Sequence, residues 1–138
     1  MKTLVAIVLG LVATSGVLST AQDQKQEGKK SEPAFALKEM NVFHKILHPL
    51  VHDALPNNDF AAIRSKLDTL LAEAKALQQA KLPKKFAGRK DEFDKQSAEL
   101  VSQLTDLVSM KDIVDDATLE KLFNDMHESF ESLGEILR

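Results

Sequence analysis

The chain has 138 residues, with 18 basic and 21 acidic side chains and a formal net charge of −3 at pH 7. This mildly acidic balance argues against generic binding to nucleic acid or to an anionic membrane surface. Because the chain contains no cysteine, its stability must come from packing rather than from disulfides. Any metal site must use imidazole, carboxylate, thioether or water ligands.

The first 21 residues have the pattern of a secretory signal peptide. Lys2 precedes an apolar run at residues 4–13, and small side chains lead to Ala21. The apolar run is well short of the roughly 20 residues needed to span a bilayer. We therefore expect cleavage after Ala21, which makes the mature protein periplasmic or secreted and leaves no membrane segment.

Residues 22–33 form a polar segment with no apolar side chain. Such a segment cannot contribute to a core and is predicted to be a flexible linker. The folded domain is expected to span residues 34–138, which is enough for one domain with one core. Residues 1–21 contain Lys2 and no acid, so the mature chain keeps 17 basic and 21 acidic residues, a formal charge of −4.

The first predicted helix begins near Ser31 and Pro33 and ends at Leu55, before Pro56, because a residue that precedes proline disfavours the helical conformation. Pro49 lies inside it and should bend the helix just after His48, unless two shorter segments meet there. Its apolar positions are Phe35, Met40, Phe43, Ile46, Leu47, Leu50, Val51, Ala54 and Leu55.

Three further helices follow from apolar residues with helical period. The second is capped by Asn58 or Asp59 and stops before Pro83, the third runs from about Lys90 to Met110, and the fourth starts at Asp115 or Asp116. Their inward residues are Ile63, Leu67, Leu70, Leu71, Ala74 and Leu77, then Phe93, Leu100, Leu104, Leu107 and Val108, then Leu119, Leu122, Phe123, Met126, Phe130, Leu133 and Leu137. No strand pattern occurs. The sequence predicts an all-α protein, an antiparallel up-down-up-down four-helix bundle.

Histidines give the clearest indication of function. His44, His48 and His52 recur at four-residue spacing, which stacks them along one side of the first helix. His127, the other histidine, lies in the fourth helix. Imidazoles on adjacent helices can share one transition metal ion.

The predicted topology places these histidines at matching heights. The first and fourth helices of such a bundle are antiparallel neighbours; His44 lies ten residues after Ala34, and His127 lies ten residues before Leu137. His44 or His48 should therefore face His127, while His48 and His52 drift progressively toward solvent. Glu131 is the nearest candidate for a carboxylate ligand, and Asn124 is a second oxygen candidate.

These observations predict an exported bundle that binds Zn, Cu or Ni through His44, His48, His52, His127 and Glu131. Met40 and Met126 could add thioether affinity for Cu(I), or could simply fill the core. Alternatively, the histidines form a solvated face of a structural bundle that contacts another envelope protein. The basic run from Lys81 to Lys90 is expected to be a solvated connection, with docking of an acidic partner as its alternative.

In helix number, helix length and expected location, the domain resembles the cytochrome c-prime and soluble b-type cytochrome group. In the c-prime family the last helix carries Cys-x-x-Cys-His, and the corresponding stretch here is Phe123-Asn124-Asp125-Met126-His127. Only the histidine matches, so the resemblance implies the fold and a special position for His127 but no covalent haem.

The b-type relatives pair a methionine of the first helix with a histidine of the fourth. The resemblance therefore implies an alternative function, an electron-transfer protein that binds haem b non-covalently through Met40 and His127. Enzyme function is not predicted, because no nucleophilic cysteine, phosphate-binding glycine loop or serine–histidine–acid arrangement is present.

Overall fold

Four α-helices pack against one another in the computed structural model, which describes residues 35–138. A π-helix follows the first of them, and a 3-10 helix precedes the third. These elements are α1 (Lys38–Pro49), the π-helix (Leu50–Ala54), α2 (Phe60–Gln78), the 3-10 helix (Lys84–Arg89), α3 (Lys90–Met110) and α4 (Asp116–Ile136).

The described part of the chain contains no strand, which confirms the predicted all-α class and the number of helices. None of the helices within residues 35–138 is long and apolar enough to cross a membrane. The predicted signal peptide at residues 1–21 and the predicted linker at residues 22–33 lie outside the described residues.

Two helices begin at the predicted caps. The Asp59 carboxylate accepts a hydrogen bond from the backbone N–H of Ala62 at 3.1 Å, and the Asp115 carboxylate accepts one from Thr118 at 2.7 Å. Each bond satisfies a backbone donor that has no partner within the first turn of a helix. The sequence therefore predicts the starts of α2 and α4 correctly.

The predicted start of the first helix near Ser31 and Pro33 is wrong, because α1 begins at Lys38. The Asn41 side chain explains the difference. Its amide oxygen accepts from the Phe35 backbone N–H at 2.8 Å, and its amide nitrogen donates to the carbonyls of Phe35 and Leu37, both at 3.0 Å. These bonds offer the backbone an alternative to the helical ladder and hold Phe35 ahead of the helix.

Pro49 ends α1 and starts a wider turn. Within the π-helix, hydrogen bonds span five residues: the Leu55 N–H donates to the Leu50 carbonyl at 2.9 Å, and the Asp59 N–H to the Ala54 carbonyl at 2.8 Å. Proline has no N–H and its ring crowds the carbonyl four residues earlier, which makes such a local expansion favourable. Two segments therefore meet at this proline, which is the second of the two predicted outcomes.

The hydrophobic core draws on all four helices and confirms the predicted apolar stripes. Phe43, Ile63, Leu104 and Phe123, one from each helix, are fully buried. Three core residues were not predicted: Leu37 ahead of α1, Phe86 of the 3-10 helix and Ile136 at the end of α4 are also buried. The basic side chains around Phe86 are exposed as expected, while Phe86 lies in the core and the partly buried Leu82 packs against that core.

Arg64 ties α2 to the turn between α3 and α4. Its guanidinium donates to the carbonyls of Lys111 at 2.7 Å and Val114 at 2.9 Å, and to the Asp116 carboxylate at 2.7 Å. The ammonium of Lys111 in turn pairs with Asp68 of α2, and this hydrogen bond raises the pKa of Lys111. Arg64 therefore supplies donors to carbonyls that follow α3.

We expect the Arg64→Ala variant to lose about 2 kcal/mol of unfolding free energy, because hydrogen bonds to charged groups contribute about 1.5–3 kcal/mol. Urea unfolding measures the loss. Lys66→Ala, which truncates an exposed side chain of the same helix, serves as the matched control and should change stability by less than about 0.5 kcal/mol. Equal stabilities of the two variants would contradict the role given to Arg64.

Asp115 predicts a pH dependence of stability. Hydrogen bonds from the side chain and the backbone of Thr118 lower the pKa of its carboxyl group. A lowered pKa in the folded state stabilises the fold above the ordinary carboxyl pKa, and this contribution is lost as the pH falls through the lowered value. Asp115→Asn keeps a capping oxygen but cannot titrate.

The unfolding free energy of Asp115→Asn should therefore fall less than that of the parent between about pH 5 and pH 2. Urea titrations at a series of pH values measure the two slopes. Asp106→Asn removes an exposed carboxylate of α3 and controls for net charge. A parental slope in Asp115→Asn would exclude the cap as the source of the effect.

Candidate metal centre

α1 and α4 meet through aromatic rings. Phe43 stacks on Phe130 with 4.8 Å between ring centroids and 26° between ring planes. Phe35, just ahead of α1, makes an edge contact with the same ring at 5.6 Å. The first and last helices are therefore in contact, as predicted, and one buried ring of α4 sets their relative height.

A cavity of about 330 Å³ lies beside this contact. His44 of α1 and His127 of α4 both line it. The two imidazoles thus reach one cavity, as counting along the two helices predicts. We call this place the seam cavity; its full lining is Phe35, His44, His127, Phe130, Glu131, Gly134, Glu135 and Arg138.

Aromatic neighbours hold the His44 ring on two sides. Phe35 contacts it edge-on at 5.3 Å between centroids, and Phe130 lies nearly parallel to it, at 12° and 6.1 Å. Edge-to-face and offset parallel arrangements are the favoured geometries of such rings. His44 is therefore oriented by the same side chains that join α1 to α4.

His127 lies beside the carboxylate that the sequence indicates. Its Nε2 is 3.5 Å from Oε1 of Glu131, which is one turn later in α4. At the rim, Arg138 pairs with Glu135 at 2.6 Å. Two carboxylates and one guanidinium line the cavity, a balance that favours a cation over an anion. Asn124, the other predicted oxygen donor, is not among the lining residues.

His44, His48 and His52 form a continuous row of rings. The centroids of His44 and His48 are 5.3 Å apart, and those of His48 and His52 are 4.3 Å apart. His48 is half-buried and His52 is exposed, in line with the predicted drift toward solvent. The sequence did not predict that the last two rings would be the closer pair.

The donor atoms of the candidate metal ligands do not meet at one point in this structure. Among residues 35–138, no group of three or more His, Asp or Glu side chains is placed to hold a metal ion. His44, His127 and Glu131 share the seam cavity, but their donor atoms are not together at coordination distance. The site offers suitable residue types in one place rather than a finished coordination sphere.

The residues implied for haem are arranged differently. Met40 is fully buried in the core, and its Cε lies 4.0 Å from the position that a Cβ would take at Gly134. It is not among the described residues that line the seam cavity with His127. Met40 and His127 therefore do not share this cavity, and haem held by the two residues stays a prediction from the sequence.

Gly134 is a site residue that was not predicted. A Cβ at this position would lie 3.3 Å from Cε1 of Phe35, so the glycine permits the ring to approach α4 closely. An isolated glycine within an apolar helical pattern is a signal of such an approach. Glu135 and Arg138 were also missed, because both belong to the exposed end of the chain.

The chain has no significant match to a protein-family model, to a curated protein or to a solved structure. The four packed helices are compatible with the architecture of the cytochrome c-prime group, but no family match supports membership. The residues of the site itself, rather than a family, therefore indicate the function.

A double-mutant cycle tests the contact between Gly134 and Phe35. In the Phe35→Ala background, Gly134→Ala should stabilise the protein by about 1 kcal/mol, because alanine favours a helix over glycine by that amount. In the parent the gain should be smaller, since the new methyl group crowds the ring. Urea unfolding of the four proteins gives the coupling energy. An equal gain in both backgrounds would show that the ring does not need the glycine.

Proposed function

We propose that the mature chain is an exported, antiparallel up-down-up-down four-helix bundle that binds one transition metal ion at the seam cavity. His44 and His127 would supply imidazole ligands and Glu131 a carboxylate. The observation that carries the proposal is that these three side chains, from the two ends of the folded region, line the same cavity.

Contacts between helices support the antiparallel order. Arg89, ahead of α3, donates to the carbonyl of Ile136 at the end of α4, whereas Gln96, later in α3, donates to Ser129, earlier in α4. Later positions in one helix thus meet earlier positions in the next. Arg64, near the start of α2, similarly contacts the turn that follows α3.

The donor set suits a borderline transition metal. Two imidazoles and one carboxylate fit Zn(II), Cu(II) or Ni(II), and at equal availability Cu(II) binds most tightly. A fourth position would remain for water, as in open rather than structural sites. Met40 and Met126 are fully buried in the core, so their role is packing and not thioether ligation at this cavity.

A modest rearrangement would complete the coordination sphere. The Glu131 side chain is 65% exposed and that of His127 is 25% exposed, so both can turn toward the cavity. Ordering such a side chain costs at most about 2 kcal/mol. For each side chain, that cost would weaken binding by at most about thirtyfold, because about 1.4 kcal/mol is a factor of ten in Kd. The incomplete convergence of the donors is therefore compatible with metal binding.

The proposed role is metal handling in the cell envelope, that is, buffering or sensing of copper, zinc or nickel. An open site with exchangeable ligands suits uptake and release. Non-covalent haem and a purely structural role remain predictions from the sequence, and no observation at the site favours either of them.

Melting curves of the untagged protein with Cu²⁺, Zn²⁺ or Ni²⁺, and again after chelation, test the proposal. A ligand at 100 times its Kd stabilises by about 2.7 kcal/mol, which for a domain of this size raises Tm by about 10 °C or more. The His44→Ala/His127→Ala double variant should show a clearly smaller rise than the parent, because it lacks both imidazoles of the seam cavity.

Glu128→Gln changes an exposed carboxylate of α4 that does not line the seam cavity, so it is the matched control and should keep the parental rise. A double variant that responds to metal as the parent does would overturn the proposal. So would a parent whose Tm none of the three ions changes.

A further inference from the structure

We infer that His48 and His52 form a second transition-metal site, a two-imidazole clamp on the surface of the first helical segment, and that Pro49 creates its geometry. Neither histidine lines the seam cavity. The clamp is therefore a different site from the one proposed at the seam cavity and would bind its own ion, although His48 is in ring contact with His44.

The distance between the rings carries the inference. An ion bound at about 2.0–2.1 Å lies about 3.2 Å from the centre of an imidazole ring, so two rings at about 90° around one ion have centroids about 4.5 Å apart. The centroids of His48 and His52 are 4.3 Å apart, compared with 5.3 Å for His44 and His48. The tilt of 41° between the two rings keeps them from stacking flat on each other. Of the ring pairs along this segment, the His48–His52 pair is nearest to the spacing of adjacent ligands on a tetragonal ion.

The change of helix type explains why this pair is close. In an α-helix, four residues turn the chain about 40° past a full turn. Each histidine in the row should therefore point about 40° away from the one before it. Pro49 lies between His48 and His52, and the chain beyond it forms the π-helix. A π-turn takes more residues than an α-turn. The four residues from His48 to His52 therefore exceed a full turn by a smaller angle. His52 is therefore more nearly in line with His48 along the helix axis.

The surroundings of the clamp allow an ion to enter. His52 is exposed and His48 is half-buried, so the ion reaches both rings from solvent without entering the core. Water would occupy the remaining positions. Imidazole and water ligands in an open arrangement suit Cu(II) and Ni(II), and Cu(II) is favoured at equal availability.

Titration of the untagged protein with Cu²⁺ or Ni²⁺ by calorimetry tests the clamp, and electron paramagnetic resonance counts the nitrogens bound to Cu(II). The parent should bind two equivalents. His52→Ala should lose one of them, with affinity at that site reduced at least about tenfold, because a chelating pair acts at high effective concentration. His127→Ala should weaken only the other equivalent.

Pro49→Ala tests the role of the π-helix. The variant restores a backbone donor and allows α1 to continue, so it should fold, and circular dichroism and its melting curve verify this. We expect its clamp affinity to fall about tenfold while binding that depends on His127 is unchanged. Lys45→Ala, an exposed change in the same helix, should leave both sites as in the parent.

The outcomes separate the two sites. Unchanged stoichiometry and affinity in His52→Ala would overturn the clamp, whatever His127→Ala does, and would leave the rings as a stacked pair only. Loss of one equivalent in His52→Ala with no effect of His127→Ala would support the clamp and contradict the seam site. Parental clamp affinity in a folded Pro49→Ala variant would overturn the role assigned to the π-helix.

Discussion

The contact of Phe43 and Phe35 with Phe130 is the interaction on which the site depends. Burial of a phenylalanine contributes about 1.5–3 kcal/mol, and a favourable ring pair adds about 0.5–1.5 kcal/mol. These rings fix the height of α1 against α4 in a chain that has no disulfide to do so. His44 lies against two of the same rings. A shift of the helices by one turn would therefore separate His44 from the cavity that it shares with His127.

At Pro49 the apolar pattern and the backbone hydrogen bonding favour different structures. The apolar stripe favours a helix that continues past this residue, since Leu50 and Ala54 are both buried. The missing N–H and the ring of Pro49 disrupt the hydrogen bonding of such an α-helix. The π-helix satisfies both requirements, because it keeps the apolar residues in the core and bonds the backbone across five residues. The spacing of the histidine rings follows from this compromise rather than from the four-residue repeat alone.

The sequence predicts those parts of the fold that depend on local chemistry. Capping aspartates and apolar periodicity give the starts of α2 and α4 and both bounds of α3, whereas α2 ends at Gln78, ahead of the predicted stop before Pro83. The non-helical segment at Phe35, ahead of α1, could not be predicted in this way, because Asn41 holds it through bonds that span six residues. The seam cavity could be located by counting, since helices rise uniformly along the chain. The positions of the donor atoms in the cavity could not be predicted by counting, because they depend on rotamers that packing selects.

The core is complete without an ion, and this separates the protein from structural zinc domains. In such domains the free energy of metal binding is the free energy of folding. Here large side chains of α1 and α4, namely Met40, Phe43, Phe123 and Met126, are fully buried by protein alone. Under the proposed function, the ion would therefore contribute little to the choice of fold and would cost only the turning of His127 and Glu131. If the proposal holds, weak coupling between binding and folding would let the protein release its ion without unfolding, as a buffer or sensor requires.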